Sequence, residues 1–198
     1  ETAVLTDLRA IVGESRVLLD DSSLQQYGLD WTRFYSPAPS AIVLPGSIEE
    51  VQQVVKLAAR ENLALVPSGG RTGLSAGAVA RNGELVIALD RLAGIEDFNP
   101  VDRTVRCGAG DITEQLQPFA EPQGLCYPVD FASAGYSHIG GNISTNAGGI
   151  KVIRHGMTRD WVAGLKIFTG TGELLDLNRG LIKNNAGYDL RQLVIGAE

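Results

Sequence analysis

Cysteine is scarce in this sequence, with only Cys107 and Cys126 among 198 residues. Two thiols cannot build a disulfide framework, and their spacing matches no metal-ligand motif, so they read as buried, reduced side chains and no metal site is expected. Blocks of five like charges are absent as well. With 17 Lys plus Arg against 23 Asp plus Glu, a formal charge of −6 argues against a nucleic-acid-binding surface or a polybasic membrane patch. No apolar run reaches the roughly 18 to 20 residues that span a bilayer, so no transmembrane segment is expected. The N-terminus lacks the basic-then-apolar pattern of a signal peptide, and a soluble, cytoplasmic protein follows as the expectation. Met157 is the only methionine, the chain opens without an initiator, and it stops just after the apolar run Leu193, Val194, Ile195. An excised piece of a longer protein is expected.

What is abundant is glycine. The chain holds 24 glycines, where ordinary usage of roughly 7% would give about 14. Nine of them fall in two windows, residues 67–78 and 135–149. Glycine allows positive φ and close backbone approach at an entropic cost, so two clusters of this density predict loops shaped around a ligand.

Around these windows the pattern alternates between helix and strand. Leu5, Leu8, Ile11 and Val12 predict an amphipathic helix closed by Gly13, and Ser47-Ile48-Glu49-Glu50 is a capping box opening a helix through Val51, Val54, Val55 and Ala58. Strands are predicted at 41–44, 63–66 and 85–88, with the capped helix between the first two, giving one βαβ unit. Beyond Asp90 the pattern changes to hairpins: 94–98 with 104–107 around Asn99-Pro100-Val101-Asp102, and 162–168 with 173–177 around Gly170-Thr171-Gly172. The expected class is α+β in two lobes, about 1–92 containing the βαβ unit and about 93–198 mainly antiparallel.

The first window follows a predicted strand, and successive backbone N–H groups there can form a nest for phosphate oxygens that needs no net positive charge. Ser68, Thr72 and Ser75 add hydroxyls, and Arg71 offers a fork-shaped cation. Neither window has the lysine of a P-loop. Gly108-Ala109-Gly110 imitates a Rossmann fingerprint, with Asp130 twenty residues after Gly110, but Thr113 stands where the third glycine belongs, so it reads as a strand-to-helix turn. The second window mixes glycine with Ser, Thr and Asn. It suits neither a regular helix nor a strand, and its polar groups call for a large polar partner.

These windows, with residues 181–190 and the terminal Ile195-Gly196-Ala197-Glu198, resemble the FAD-binding domain of FAD-linked oxidases, of the p-cresol methylhydroxylase (PCMH) and vanillyl-alcohol oxidase type. Within that superfamily the chain is most similar to the D-2-hydroxyacid dehydrogenase branch, which includes D-lactate dehydrogenases, the glycolate oxidase flavin subunit and D-2-hydroxyglutarate dehydrogenases. The resemblance implies FAD held between two lobes. The family loop P-x-G-G-x-T-G falls on Pro67, Ser68, Gly69, Gly70, Arg71, Thr72 and Gly73, followed by Leu74, and would hold the FAD pyrophosphate. The stretch D-x-x-x-x-G-x-x-x-I-G-G-N-x-x-T-N-A-G-G places Asp130, Ser133, Gly135, Ile139, Gly140, Gly141, Asn142, Thr145, Asn146, Gly148 and Gly149 along the cofactor. Glu198 opens the family element E-G-T-L-G.

Arg71 stands where covalent relatives can carry a tethering histidine, which implies non-covalent FAD. The resemblance further implies oxidation of a small 2-hydroxy acid to a 2-oxo acid by hydride transfer to flavin. The substrate-binding cap would follow this domain, so the chain alone is expected to be inactive, and the identities of catalytic residues and electron acceptor stay open. A FAD-dependent alcohol oxidase, another reductase of the superfamily and a non-catalytic nucleotide-binding module are the alternatives. His138 reads as a loop-positioning residue and Asp130 as a loop-fixing acceptor. His155 reads equally as a surface residue or a neighbour of the flavin, while Trp31 and Trp161 read as packing residues.

Overall fold

A computed structural model describes residues 3–198. The chain divides into two compact units, the first running to Leu92 and including Phe168–Leu174, the second comprising Ala93–Ile167 and Leu175–Glu198. Among the described residues no helix is long and apolar enough to cross a membrane.

The first unit is a four-stranded sheet carrying helices. Its elements are α1 (Ala3–Val12), β1 (Val17–Leu18), α2 (Asp21–Tyr27), β2 (Ala41–Val43), α3 (Ile48–Arg60), β3 (Leu65–Ser68) and β4 (Leu85–Ala88). The strand order is β1-β2-β4-β3, with β1 antiparallel to β2 and the other pairs parallel. The βαβ unit is therefore present, but β4 inserts between its two strands.

Period-2 alternation splits the central strands between two apolar clusters. Ala41, Val43, Leu85 and Ile87 pack with Leu8 and Val12 of α1 and with Val51, Val54, Val55 and Leu57 of α3. Ile42, Val86 and Ala88 face the other way, against Leu24 and Tyr27 of α2. Covered on both faces, β2 and β4 read as continuous apolar runs.

Local chemistry sets the boundaries of α3. The Ser47 side chain accepts from the Glu50 N–H at 3.2 Å, whereas the Glu50 carboxylate reaches one residue further back, to the Gly46 N–H at 2.6 Å. At the other end Asn62 is left-handed (φ 55) and the Leu63 N–H returns to Ala58 O at 2.8 Å, a Schellman-type closure. Leu63 is thereby part of the helix stop, which is why β3 begins at Leu65 rather than at the predicted Leu63. In this unit two short elements carried no sequence prediction, β1 and α2; the Asp20 carboxylate caps the latter by accepting from Ser23 N–H at 2.9 Å.

The second unit contains the hairpin β5 (Glu96–Asn99) and β6 (Thr104–Arg106), then α4 (Leu116–Ala120), α5 (Ile139–Thr145) and α6 (Val152–His155). It continues through the hairpin β7 (Leu165–Phe168) and β8 (Leu174–Leu177), whose tip belongs to the first unit, and ends with α7 (Arg191–Val194). Both hairpins stand where they were predicted. The helix α5 corrects the expectation of an irregular second window.

The core of the first unit makes a direct prediction. Ile42 is fully buried, so Ile42→Ala should lower its unfolding free energy by about 2–5 kcal/mol, and Ser47→Ala by about 1 kcal/mol. Urea unfolding followed by far-UV circular dichroism measures both; a loss at Ile42 no larger than at Ser47 would contradict the packing described.

Candidate cofactor-binding loops

In the first unit, β3 delivers the chain into the glycine loop. Ser68 is paired with Ala88 and wholly buried. Its hydroxyl lies 3.4 Å from Tyr27 O and accepts from Arg71 Nη1 at 3.3 Å. Arg71 is left-handed (φ 58), and its guanidinium forks onto the Asp90 carboxylate at 2.8 and 3.2 Å while lying 4.7 Å from the Tyr27 ring centre. The Ser68 hydroxyl and the Arg71 charge are thus both engaged within the protein.

Further along the loop, Gly73 O accepts from Trp31 N–H at 3.0 Å and the Ala76 N–H donates to Asp30 Oδ2 at 2.8 Å. Gly69, Gly70 and Thr72 are half-buried, while Pro67, Gly73 and Leu74 are exposed. A Cβ built at Gly73 meets only Asp30 Oδ2, at 3.7 Å, and one at Gly77 meets nothing within 4 Å. Neither position has the positive φ or the crowding that would require glycine for the chain's own sake. Gly94 and Gly170 share this freedom but lie outside the clusters.

In the second unit, α5 forms despite Gly140 and Gly141 in its first turn because packing outweighs propensity. The Ile139 and Gly140 N–H groups donate to Asp111 O and Ala109 O, each at 2.9 Å. A Cβ at Gly140 would sit 2.9 Å from Ala109 Cβ and 3.0 Å from Ala109 O, so only glycine allows this approach. The buried Asn142 side chain donates to Thr113 Oγ1, which also bonds to Ser137 Oγ at 2.8 Å. At Gly149 a Cβ would overlap the Asp130 carbonyl oxygen and stand 2.8 Å from Phe131 Cβ. A Cβ at Gly148 would crowd Val152 Cγ1 at 2.9 Å. The glycines at 140, 148 and 149 thus permit close packing of the chain on itself, and the Asn142 amide is buried within the protein. Gly141 differs, since a Cβ there meets nothing within 4 Å. Gly135 would meet only the Glu114 carboxylate, at 3.0 Å.

The ends of this segment are also tied down. Asp130 pairs with Lys151 at 2.8 Å, in keeping with a loop-fixing role. Ser133 O accepts from Tyr136 N–H at 2.9 Å and Ser137 N–H at 2.8 Å, closing the turn before α5. Thr145 Oγ1 donates back to Gly141 O at 3.1 Å. Asn146 is left-handed (φ 51), and its Oδ1 accepts from Arg159 N–H at 3.0 Å.

The last-turn carbonyls of α5 are satisfied by the terminal segment: Gly196 N–H donates to Ile143 O at 3.0 Å and Glu198 N–H to Ser144 O at 2.9 Å. The Arg159 guanidinium reinforces this by donating to Ile195 O at 2.5 Å and to the Gln192 side chain. Residues 139–146 and Glu198, distant in sequence, therefore meet directly through the Ser144 carbonyl, and Arg159 braces Asn146 and Ile195 beside them; sequence reasoning missed Arg159 because it lies outside every glycine window. Residues 182–190, by contrast, stay exposed.

Several other expectations are resolved locally. The Rossmann look-alike is a turn closed by the protein's own carboxylate, because Asp111 accepts from Gly108 N–H at 2.7 Å and Gly94 N–H at 2.9 Å. Cys107 is half-buried and Cys126 exposed, correcting the expectation of two buried thiols. Burial, with Asp111 nearby, pushes the Cys107 thiol up to about 11, so it stays protonated at neutral pH. Trp31 is 59% exposed with Arg33 stacked on it, and Trp161 is 46% exposed against Tyr127, so neither is a core residue. His138 is buried and bridges to Ile112, and His155 O accepts from the Trp161 indole N–H at 2.9 Å. Two shallow hollows of about 350 Å³ are lined by Thr6, Arg9, Ala10 and Glu14 and by Phe98, Pro100, Arg103, Gln123, Gly124 and Leu125. Neither includes a glycine-loop residue, so the candidate groups are open main-chain surfaces rather than these hollows.

The fold has clear counterparts. Alkyldihydroxyacetonephosphate synthase superimposes with a TM-score of 0.85 at 22% identity, over 98% of this chain and 40% of that one. p-Cresol methylhydroxylase with substrate bound gives 0.78 at 19% identity, over 97% of this chain and 40% of the other. The architecture is the α+β, PCMH-type fold.

By sequence, residues 39–178 match the FAD binding domain family, and the chain belongs to that family. It is 62% identical over its full length to a D-2-hydroxyglutarate dehydrogenase of Stutzerimonas stutzeri (strain A1501), covering 43% of that protein. It is 57% identical to one of Xanthomonas citri pv. viticola, over 98% of this chain and 41% of that protein. The mitochondrial enzyme of Bos taurus is 34% identical, over 97% of this chain and 36% of its own length. The chain thus spans less than half the length of these relatives.

The two kinds of glycine make opposite predictions. Gly149→Ala should destabilise the ligand-free protein by about 1–3 kcal/mol, since main chain must move. Gly141→Ala, on an open helical site, should leave stability unchanged or raise it by up to about 1 kcal/mol. Thermal unfolding of the two variants checks this, and equal losses would contradict the assignment.

Proposed function

We propose that this chain is the FAD-holding portion of a flavin-dependent oxidoreductase that converts a D-2-hydroxy acid, of the 2-hydroxyglutarate class, to its 2-oxo acid. The observation that carries the reading is the set of glycines at 73, 77 and 141, which have room for a Cβ and no backbone need for glycine. A closely approaching ligand explains them, and loops of main-chain donors suit a diphosphate in a protein of net charge −6. The 62% identity to a D-2-hydroxyglutarate dehydrogenase supports the substrate class.

In this reading the backbone N–H groups of residues 69–74 hold the pyrophosphate, and the 130–149 segment with Glu198 contributes the remaining contacts. When bound, flavin supplies the two-electron acceptor that lets the alcohol carbon become a ketone. The chain's own residues do the positioning: Asp90 fixes Arg71, Thr113 fixes Asn142 and thereby α5, and Arg159 fixes the terminal segment against the end of α5. The substrate carboxylate would be held by residues outside this chain, in a substrate-binding cap. Arg71, neutralised by Asp90 and unable to form a flavin tether, supports non-covalent attachment. The free thiols agree with a reducing, cytoplasmic location.

Two measurements test this. Acid precipitation of flavin-loaded protein should leave the yellow colour in the supernatant; flavin retained in the pellet would refute non-covalent binding. Anaerobic addition of D-2-hydroxyglutarate to the full-length protein should bleach its visible flavin band, faster than D-lactate or glycolate. A flavin that none of the three reduces would contradict the hydroxy-acid assignment.

A further inference from the structure

The glycine loop of the first unit joins the end of β3 at Ser68 to Ala80, and such a loop left to itself would be mobile. Each residue ordered on binding carries a conformational-entropy penalty, so a loop that presents a ready-made cradle must be fixed in advance. The structure shows what fixes its far side. Asp30 is only 1% exposed and belongs neither to a glycine window nor to any sequence motif. Its Oδ2 accepts from Ala76 N–H at 2.8 Å, while its Oδ1 accepts from Thr32 N–H at 2.9 Å and Thr32 Oγ1 at 2.6 Å. The adjacent Trp31 N–H donates to Gly73 O at 3.0 Å. Residues 30 and 31 therefore grip the loop at two points three residues apart, around exposed Leu74 and Ser75.

The grip has a rigid base. Ala80 N–H donates to Gly28 O at 2.9 Å, and a Cβ at Gly28 would lie 2.7 Å from Leu24 O and 2.9 Å from Pro37 Cβ. The segment carrying Asp30 is thus packed against the C-terminal end of α2. Ala76 itself is left-handed (φ 62), a conformation disfavoured for an L residue, so it needs an external bond to hold it. A buried carboxylate supplies one of the stronger kinds, a charge-assisted hydrogen bond to main-chain N–H.

We propose that Asp30 is a positioning residue for cofactor binding, which holds the 73–76 turn through the Ala76 N–H so that the glycine loop meets the FAD diphosphate already ordered. This rests on the proposed FAD-binding function. It concerns a residue that touches the loop and not the ligand. Thr32 provides the comparison, because Thr32→Val removes the hydroxyl bond to the same carboxylate, together with a long 3.5 Å bond from Phe34 N–H, without touching the loop.

The test combines FAD titration of the ligand-free protein, read by quenching of flavin fluorescence, with amide hydrogen exchange. Asp30→Ala should raise the Kd for FAD roughly tenfold or more, the scale of one charge-assisted bond, and Thr32→Val should change it less than about threefold. A residue that only stabilised the fold would give the two variants affinity losses in proportion to their losses of melting temperature, which would overturn the proposal. Equal FAD affinity in Asp30→Ala and wild type would also overturn it, leaving the FAD-binding function intact. A wild type that takes up no FAD would instead defeat that function and this inference with it. Should Asp30→Ala fail to fold, exchange in the wild type decides: an Ala76 amide protected before FAD is added supports the clamp, and one exchanging at the unprotected rate refutes it.

Discussion

Glycine-rich main chain can present donors to a ligand only when something outside it restrains it, and that constraint organises both units. In the first unit, restraint comes from carboxylates. Asp90 takes the Arg71 fork, and Asp30 takes the Ala76 N–H. In the second it comes from Thr113 on Asn142, Lys151 on Asp130, and Arg159 on Asn146 and the terminal segment. The side chains that resemblance would place on the cofactor are in several cases the ones doing the restraining. Ser68, Arg71 and Asn142 each bond within the protein.

This division of labour explains how an acidic protein can be built to hold a dinucleotide. A diphosphate is recognised by oriented N–H groups as well as by cations, and N–H groups contribute nothing to net charge. The one arginine in the loop, already neutralised by Asp90, adds order rather than local positive potential. The same arrangement accounts for the density of glycine. Some glycines let main chain touch main chain, as at 140 against Ala109 and 149 against Asp130, and others leave space open, as at 77 and 141.

Much of the fold was legible in the sequence. The capping box at Ser47 and the apolar runs at 41–44 and 85–88 specify the βαβ unit, and the turn residues around 99–102 and 170–172 mark both hairpins. Where local and tertiary signals disagree, the reading fails for physical reasons. Leu63 looks like a strand residue but closes α3, and α5 is written in poor helix formers that only the contact with Ala109 and Thr113 makes helical. The glycine windows were legible as loops. Which glycine serves the interior and which serves a ligand was not, because that depends on the atom opposite each Cβ. Asp30 and Arg159 carried no signal at all, since a lone charged residue acquires meaning only from the backbone groups that fold around it.

In the proposed function, restrained main-chain N–H groups rather than charged side chains hold the FAD diphosphate. Amide hydrogen exchange of the purified chain at increasing FAD concentration tests this most directly. Slowing of exchange within 69–74 that saturates as FAD binds is the predicted result. Exchange in 69–74 left unchanged while FAD is bound would contradict it.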